Sequence, residues 1–250
     1  MKEMTEALKG RVAVVTGASR GIGYYAAKEL AANGAHVIAV ARTVGGLEEL
    51  DDEIKAAGGS ATLVPLDMTD YDGLDRLGAA IYERWQKLDI LVANAGILGQ
   101  TSPLGHIDPK KFDQVMAINV TANWRLLRSL DPLLRQSDAG RAVFLTSSAP
   151  HKCKAYWGPY SMSKSALEAM ARTYVNETQK TPIRTILVNP GPMRTAMRAR
   201  AMPGEDPETL PHPGELSPAI LRFCLPDSEA NGLYYDHPSG KLREFQQIAS

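Results

Sequence analysis

The feature that most constrains the fold of this chain is a regular alternation between short apolar runs and longer stretches with helical periodicity. Each run has roughly five residues rich in Val, Ile, Ala and Leu, and a candidate helix separates it from the next run. Neighbouring parallel strands require such a crossover, so the alternation predicts a doubly wound parallel sheet with helices on both faces. We predict an α/β fold of about seven strands: Val12–Thr16, His36–Val40, Ala61–Leu66, Leu88–Val92, Arg141–Thr146, Ile183–Val188 and Asn231–Tyr235.

The intervals between these strands contain the predicted helices. The longest interval begins with Asp108-Pro109, an N-cap residue followed by a proline suited to the first helical turn. We predict a helix from Lys110 to Gln136, with Pro132 kinking or ending it because proline lacks the N–H that a helix interior needs. The other predicted helices are Gly21–Asn33, Leu47–Ala57, Tyr71–Trp85 and Tyr160–Gln179.

The domain organisation follows from the continuity of this pattern. No internal repeat or low-complexity linker interrupts it, so we predict a single domain over residues 1–250. The exception is the segment from Met193 to Pro218, which contains five prolines and no clear period. A long irregular insertion in a compact domain is usually functional or mobile, and we interpret residues 193–218 as a substrate loop.

Composition excludes several classes of protein. The 28 basic and 28 acidic residues cancel, and no basic run resembles a nucleic-acid footprint. Cys153 and Cys224 lie far apart in no metal-ligand spacing, which indicates a reducing compartment and no metal site. No segment is long and apolar enough to span a bilayer, and residues 1–10 are acidic in places and lack the apolar core of a signal peptide. We expect a cytoplasmic protein with neither membrane nor nucleic-acid partners.

A glycine-rich turn follows the first predicted strand and opens the first predicted helix. The turn is Thr16-Gly-Ala-Ser-Arg-Gly-Ile-Gly23, with the spacing Gly-x-x-x-Gly-x-Gly. Glycines at such a junction let the backbone approach a pyrophosphate, which then lies on the helix N-terminus. The position of the turn predicts dinucleotide binding, although a glycine turn can also be purely structural.

The end of the second predicted strand indicates which dinucleotide binds. NAD-binding sites usually place a carboxylate there for the ribose 2′-hydroxyl, but this chain has Arg42, and the next acid is Glu48. A guanidinium can clamp a 2′-phosphate with two hydrogen bonds, and Arg20 in the glycine turn offers a second clamp. The sequence therefore favours NADP(H), with NAD(H) as the alternative cofactor if both arginines are merely surface residues.

Tyr160-Ser-Met-Ser-Lys164 places a tyrosine and a lysine four residues apart, on one face of a helix. A phenol has a pKa of about 10, and a nearby ammonium is expected to lower it. Tyr160 is therefore a candidate general acid/base. The same spacing also arises by chance, with the tyrosine in the core and the lysine in solvent, so the surrounding motifs must decide.

Several further motifs, in order and at matching spacing, resemble those of the short-chain dehydrogenase/reductase family over essentially the whole chain. They are the turn Thr16–Gly23, Asp67 after the third strand, Asn94-Ala95-Gly96, Asn119 in the long helix, Ser147 thirteen residues before Tyr160, and Pro190-Gly191 after the sixth strand. Two shorter segments, Trp157–Tyr160 and Arg194–Ala199, resemble the YciK-type bacterial oxidoreductases within that family.

The resemblance implies a Rossmann-fold enzyme that interconverts a carbonyl and a secondary alcohol with NADP(H). Tyr160 would exchange the proton, Lys164 would lower the pKa of the tyrosine and hold the nicotinamide ribose, and Asn119 would hold a water linking Lys164 to solvent. Ser147 would hydrogen-bond the substrate oxygen; Ser148 competes for this role, but the spacing favours Ser147. The implied cofactor-binding residues are Gly17, Ser19, Arg20, Gly21, Ile22, Gly23, Arg42, Asp67, Met68, Asn94, Ala95, Gly96, Tyr160, Lys164, Pro190, Gly191, Met193 and Thr195.

The substrate is a small-molecule carbonyl or alcohol whose identity the sequence leaves open. The candidate substrate-binding residues are Ser147, Trp157, Met193 and Met197, with packing at the foot of the catalytic helix as the alternative for Trp157. Basic residues on the two flanking segments indicate either an anionic substrate or a solvated basic surface: Lys152, Lys154, Arg194, Arg198 and Arg200.

Two other functions and the assembly state remain to be weighed. One is a catalytically inactive NADP(H)-binding regulator, which the complete set of Asn119, Ser147, Tyr160 and Lys164 argues against. The other is a non-redox epimerase or dehydratase on a related extended scaffold, which the short chain and the glycine spacing argue against. The resemblance implies a homodimer or homotetramer packed partly through the predicted helices at 110–136 and 160–179.

Overall fold

The computed structural model describes residues 6–245, so the ends of the predicted domain, residues 1–5 and 246–250, lie outside the described residues. The described residues form an eight-stranded sheet in the order β3-β2-β1-β4-β5-β6-β7-β8. Every pairing is parallel except the last, β7 with β8. The strands are β1 Val12–Thr16, β2 His36–Ala41, β3 Ser60–Pro65, β4 Ile90–Ala93, β5 Arg141–Leu145, β6 Arg184–Asn189, β7 Leu233–Asp236 and β8 Lys241–Glu244.

Helices cover both faces of this sheet, as the alternation of runs predicts. In β1, Val12 and Val14 pack in one apolar cluster, whereas Ala13 and Val15 pack in the other, because successive residues of a strand point to opposite faces. The two-sided burial explains why the strand is apolar from Val12 to Val15. The helices are α1 Gly21–Ala32, α2 Val44–Ala56, α3 Tyr71–Trp85, α4 Pro109–Met116, α5 Ala122–Leu134, α6 Ala149–Lys152, α7 Gly158–Glu177, α8 Ala196–Ala201 and α9 Ser217–Cys224.

The sheet has one strand more than the sequence pattern indicates, because β8 pairs antiparallel with β7 at its edge. All four residues of β8, from Lys241 to Glu244, are exposed. An edge strand with charged side chains needs no apolar run, because it has a neighbour on one side only. The apolar runs from which we predict strands therefore do not reveal β8.

The long helix predicted from Lys110 to Gln136 is interrupted, but not at Pro132. A π-helical turn at Ala117–Thr121 separates α4 from α5, and α5 continues past Pro132 to Leu134. Pro132 removes one helical hydrogen bond, the one to the carbonyl four residues earlier, without ending the helix. Isolated π turns inside helices are frequent at functional sites, and this one contains Asn119.

The segment predicted as an irregular substrate loop, residues 193–218, contains local structure. It includes α8, two 3₁₀ turns at Pro207–Thr209 and Pro213–Leu216, and the first residues of α9. Each piece is too short to produce a detectable period, which is why the sequence pattern is irregular. Among residues 6–245, no helix is both long enough and apolar enough to cross a membrane.

Candidate active site

The candidate site lies along the carboxyl ends of the parallel strands, centred where the strand order reverses. The sheet runs outward from β1 through β2 and β3 on one side and through β4, β5 and β6 on the other. Ligands of open α/β sheets bind in the crevice that such a reversal creates. The loops that follow β1, β4, β5 and β6, together with the helices that begin after them, carry most of the residues that the sequence analysis selected.

The glycine turn is packed directly against Asn94. The Asn94 side-chain amide donates to the Thr16 carbonyl at 2.9 Å, and the Asn94 backbone N–H donates to the Thr16 hydroxyl at 3.0 Å. A Cβ atom at Gly23 would lie 2.4 Å from the Gly17 carbonyl oxygen, and Gly17 itself has φ +67°. Both positions therefore require glycine, and the Asn94-Ala95-Gly96 segment holds the turn in place.

The N-terminus of α1 fits a phosphate group. Arg20 is its N-cap residue, its side chain forms no capping hydrogen bond, and the first turn contains no acidic residue. The backbone N–H groups of Gly21 and Ile22 belong to the first turn of α1 and have no hydrogen-bond partner within the helix. Their partial positive charge can therefore bind an anion. Across the groove, Thr195 Cγ2 lies 3.6 Å from where a Cβ of Gly21 would stand. These residues fit the predicted dinucleotide.

Arg42 and Asp67 meet at the other end of this groove, next to the end of β2. Arg42 Nη1 lies 3.4 Å from Asp67 Oδ2, and both side chains are partly exposed. Although burial opposes ionisation of Asp67, hydrogen bonds from Thr69 and the charge of Arg42 hold the pKa of this carboxyl below its usual value. Met68 is buried, so only its backbone is available to a cofactor. The exposed Arg20 completes a basic rim on this groove.

Tyr160 and Ser147 form the centre of the site. Tyr160 lies in the first turn of α7, where it is buried, and it lines the same cavity as Ser147 in the loop after β5. Ser147 Oγ accepts the Ala149 backbone N–H at 3.0 Å, which fixes the hydroxyl at the start of α6. Ser148 also lines the cavity, but it is Ser147 that acts on the pKa of the tyrosine.

Lys164 lies one turn further along α7, as its spacing from Tyr160 predicts. Its ammonium donates to the Leu145 carbonyl at 2.7 Å and stands 5.9 Å from the centre of the Tyr160 ring. Burial raises the pKa of the Tyr160 phenol, and Ser147 works against that rise. Because the ammonium forms its hydrogen bond with Leu145 and not with the phenol oxygen, the lowering of this pKa by Lys164 stays a prediction.

Asn119 is fully buried in the π turn, where its side chain joins three segments of the site. Its Oδ1 accepts the Ile97 backbone N–H at 2.8 Å, and its Nδ2 donates to the Ile97 carbonyl at 2.9 Å and to Ser163 Oγ at 3.0 Å. A Cβ at Gly96 would lie 3.2 Å from Asn119 Oδ1 and 3.7 Å from Lys164 Nζ. The π turn thus places Asn119 beside Lys164 and behind the loop that holds the glycine turn.

Glu168 is part of the site although the sequence analysis did not select it. This buried carboxylate accepts a hydrogen bond from Thr146 Oγ1 at 2.6 Å and lies 3.3 Å from His151 Nε2. Thr146 precedes Ser147, so Glu168 connects the strand end that carries Ser147 with the helix that carries Lys164. The one signal for Glu168 in the sequence was its position four residues after Lys164, which places both side chains on the same helix face.

We expect Glu168→Gln to shift the titration of Lys164. Burial lowers the pKa of Lys164 to about 8, and the negative charge of Glu168 works in the opposite direction. Removing that charge leaves the buried ammonium less favoured, so the pKa of Lys164 should fall further. NMR titration of the labelled Nζ, with the exposed Glu177→Gln on the same helix as control, measures the change. An unchanged or higher pKa in Glu168→Gln would contradict this arrangement.

A cavity of about 420 Å³ opens beside Tyr160 and Ser147. All four predicted substrate-binding residues line it, together with Gly191, whose φ is +70° and whose N–H donates to Asn189 Oδ1 at 3.1 Å. Pro190 precedes this turn at the end of β6. Residues of the cavity wall that the sequence analysis did not select include Leu98, Ala149, Asn189 and Met202.

Comparison with known proteins agrees with this geometry. The short chain dehydrogenase family matches residues 11–206. The uncharacterized oxidoreductase YciK of Escherichia coli K12 is 36% identical over 238 residues, which cover 94% of each chain. A short chain dehydrogenase from Pseudomonas syringae has a TM-score of 0.90 and 39% identity, over 93% of this chain and 96% of its own. One from Shigella flexneri 2a, solved in complex with NADP, has a TM-score of 0.89 and 36% identity, over 94% and 99%.

This chain belongs to the short-chain dehydrogenase/reductase family. The predicted fold class, the predicted family and the likeness to the YciK-type oxidoreductases are confirmed. The predicted nicotinamide cofactor is confirmed at the level of the family, which includes the NADP complex of the Shigella protein.

Proposed function

We propose that this protein is an NADP(H)-dependent oxidoreductase that interconverts a carbonyl and a secondary alcohol, with Tyr160 as general acid/base. The observation that carries the proposal is that the buried Tyr160 and Ser147 line the same cavity, which adjoins the cofactor groove, while Lys164 lies one turn further along α7. A proton donor and a second hydroxyl that face the same space are what a carbonyl oxygen requires when it accepts charge.

In the direction of reduction, bound NADPH would supply a hydride to the carbonyl carbon. Tyr160 gives its phenolic proton to the carbonyl oxygen, while Ser147 hydrogen-bonds the same oxygen and stabilises the charge that develops on it. The raised pKa of Tyr160 keeps the phenol protonated near neutral pH, which is the form that donates. In the direction of oxidation, the phenolate takes the proton back from the alcohol.

Lys164 and Asn119 restore the proton of Tyr160 in this proposal. After donation, the phenolate has the Lys164 ammonium 5.9 Å from its ring centre, and an opposite charge at that range favours the anion. Lys164 also lies close enough to Gly96 to reach a cofactor ribose held along that loop. Asn119 would hold the water that links Lys164 to solvent, consistent with its place in the π turn.

The proposed preference for NADP(H) over NAD(H) rests on the basic rim formed by Arg20 and Arg42. Arg42 stands where NAD-specific sites usually have a carboxylate, and its only nearby acid among the described residues, Asp67, is 3.4 Å away and partly exposed. An anionic 2′-phosphate can therefore compete for the guanidinium. The complex of the Shigella relative with NADP supports the same preference.

A panel of aldehydes, ketones and secondary alcohols, assayed with NADPH, NADH and their oxidised forms, tests this proposal. We expect turnover of at least one carbonyl class with NADPH, and slower turnover with NADH. Tight NADPH binding without turnover across the panel would favour the inactive regulator. Product formation without net change in the cofactor would favour an epimerase or dehydratase.

We also propose that the protein is a single-domain homo-oligomer in the cytoplasm. Trp124 on α5 is 50% exposed and Met162 on α7 is 42% exposed, so the two helices predicted to form the interface present large apolar side chains. Light scattering should give a mass of two or four times the 27.1 kDa chain. A mass of one chain at micromolar concentration would contradict the assembly.

A further inference from the structure

The cavity beside Tyr160 has a one-sided distribution of charge. Lys152, Lys154 and Arg198 line it, whereas no aspartate or glutamate of the described chain does. A cleft with charges of one sign and apolar walls concentrates ligands of the opposite sign. What matters is which of the three cations is available to a ligand.

Arg198, the third cation of the cavity wall, and Arg194 of the same loop are already neutralised. Arg198 forms two hydrogen bonds with Glu205, at 2.5 and 2.6 Å, and Arg194 pairs with Glu208 at 2.9 Å. Neither Lys152 nor Lys154 has a carboxylate within ion-pairing distance anywhere in residues 6–245. The uncompensated positive charge of the cavity therefore belongs to these two lysines.

The backbone that carries the lysines is held in an uncommon conformation. Cys153, between them, has φ +42°, and Tyr156, just beyond them, has φ +73°. The Lys152 N–H donates to the Ser148 carbonyl at 3.0 Å, and the Tyr156 carbonyl accepts the Ser102 N–H at 3.1 Å. Positive φ at residues other than glycine persists where the surroundings impose it, often at ligand-binding segments. The backbone therefore holds the Cα atoms of Lys152 and Lys154 in defined positions.

The 2′-phosphate proposed to bind Arg42 is too far away to explain these lysines. Arg42 follows β2, whereas Lys152 and Lys154 follow β5, three strands further along the sheet. With strands about 4.8 Å apart, roughly 14 Å separate the two strand ends. The lysines therefore face the substrate end of the cavity, alongside apolar side chains of Leu98, Trp157, Met197 and Met202.

We propose that Lys152 and Lys154 form an anion-binding subsite, so that the substrate is an apolar carbonyl compound with a carboxylate or phosphate remote from the carbonyl. The apolar walls hold the body of this molecule, its carbonyl oxygen reaches Tyr160, and its anionic group ends at the lysines. The assignment of substrate class rests on the proposed function, but the binding of the anion does not.

The test measures binding to the full chain loaded with NADP⁺. Calorimetry compares oxo-carboxylates, from 4-oxopentanoate to 8-oxononanoate, with their neutral amides and with oxoalkyl phosphates of the same lengths. At the best length we expect the anion to bind about tenfold more tightly than the amide, as for one charge-assisted hydrogen bond. Whether the carboxylate or the phosphate binds better identifies the anionic group.

Variants then assign the preference to the two lysines. In Lys152→Gln/Lys154→Gln, the anion and the amide should bind equally. The control Lys55→Gln/Lys180→Gln removes two exposed lysines near the C-terminal ends of α2 and α7, at the edge of the sheet where the strands begin, and should keep the preference. The proposal is overturned if the wild-type protein binds amides as tightly as anions, binds no probe, or if the preference survives the first pair of substitutions.

The outcomes separate this inference from the proposed function. Turnover of neutral ketones without any preference for anions would leave the oxidoreductase intact and remove the subsite. Anion binding that depends on Lys152 and Lys154, without reduction of any carbonyl, would keep the subsite and remove the oxidoreductase.

Discussion

Tyr160→Phe should reduce carbonyl turnover by about 10²–10⁴-fold, the range that a positioned general acid or base contributes. Phenylalanine keeps the ring, whose centre lies 6.0 Å from that of Trp157, but removes the hydroxyl proposed to donate the proton. NADPH binding should change little, because the glycine turn and the basic rim are untouched. Steady-state kinetics with the best substrate and fluorescence titration of NADPH measure the two effects separately.

The control for this substitution is Tyr82→Phe, which removes a hydroxyl from a tyrosine that is 58% exposed on α3, away from the site. Its kinetics should match those of the wild-type protein. If Tyr160→Phe still reduces a good substrate at the wild-type rate, Tyr160 is not the acid/base and the proton must come from another group.

Arg42→Asp combined with Arg20→Ala should weaken NADPH binding by about 10- to 100-fold, as expected for the loss of hydrogen bonds to a charged phosphate. NADH binding should be maintained or improved, because the new carboxylate can accept a hydrogen bond from the ribose 2′-hydroxyl. Dissociation constants for NADPH and NADH, measured at one ionic strength, give the ratio of the two affinities in each variant.

Two further variants complete this experiment. Arg42→Ala separates the loss of the guanidinium from repulsion between the new aspartate and Asp67, which lies 3.4 Å from Arg42. Arg172→Ala removes an exposed arginine of α7 and should leave both constants unchanged. Equal losses of NADPH and NADH affinity in the double variant would refute the phosphate clamp.

The parts of the fold that were predictable are those in which one local pattern has one structural cause. β1 and α3 have the predicted bounds, because the first is an apolar run buried on both faces and the second begins at the N-cap residue Asp70. The β8 strand was not predictable, because an exposed edge strand with three charged residues out of four has no apolar run. The π turn at Ala117–Thr121 was not predictable either, because its residues continue a helical sequence without a break.

The same distinction applies to the candidate site. Gly23 was identifiable because the tight backbone approach in the turn leaves room only for glycine, whereas Asn94 was selected through the family resemblance and its contact with the turn is a finding of the structure. The raised pKa of Tyr160 was not predictable, because burial depends on the whole surrounding structure and not on the local sequence. The role of Glu168 depends on a contact with Thr146, twenty-two residues away, which spacing within one helix does not disclose.

Deuterium transfer tests the central claim most directly. The protein is given NADPH with deuterium at both C4 positions and a pool of aldehydes and ketones, with and without carboxylate groups, and the alcohols are analysed by mass spectrometry. The proposed function predicts an alcohol with one deuterium on its carbinol carbon, formed by the wild-type protein and strongly reduced in Tyr160→Phe. Alcohol without deuterium, or no alcohol despite bound NADPH, would contradict it.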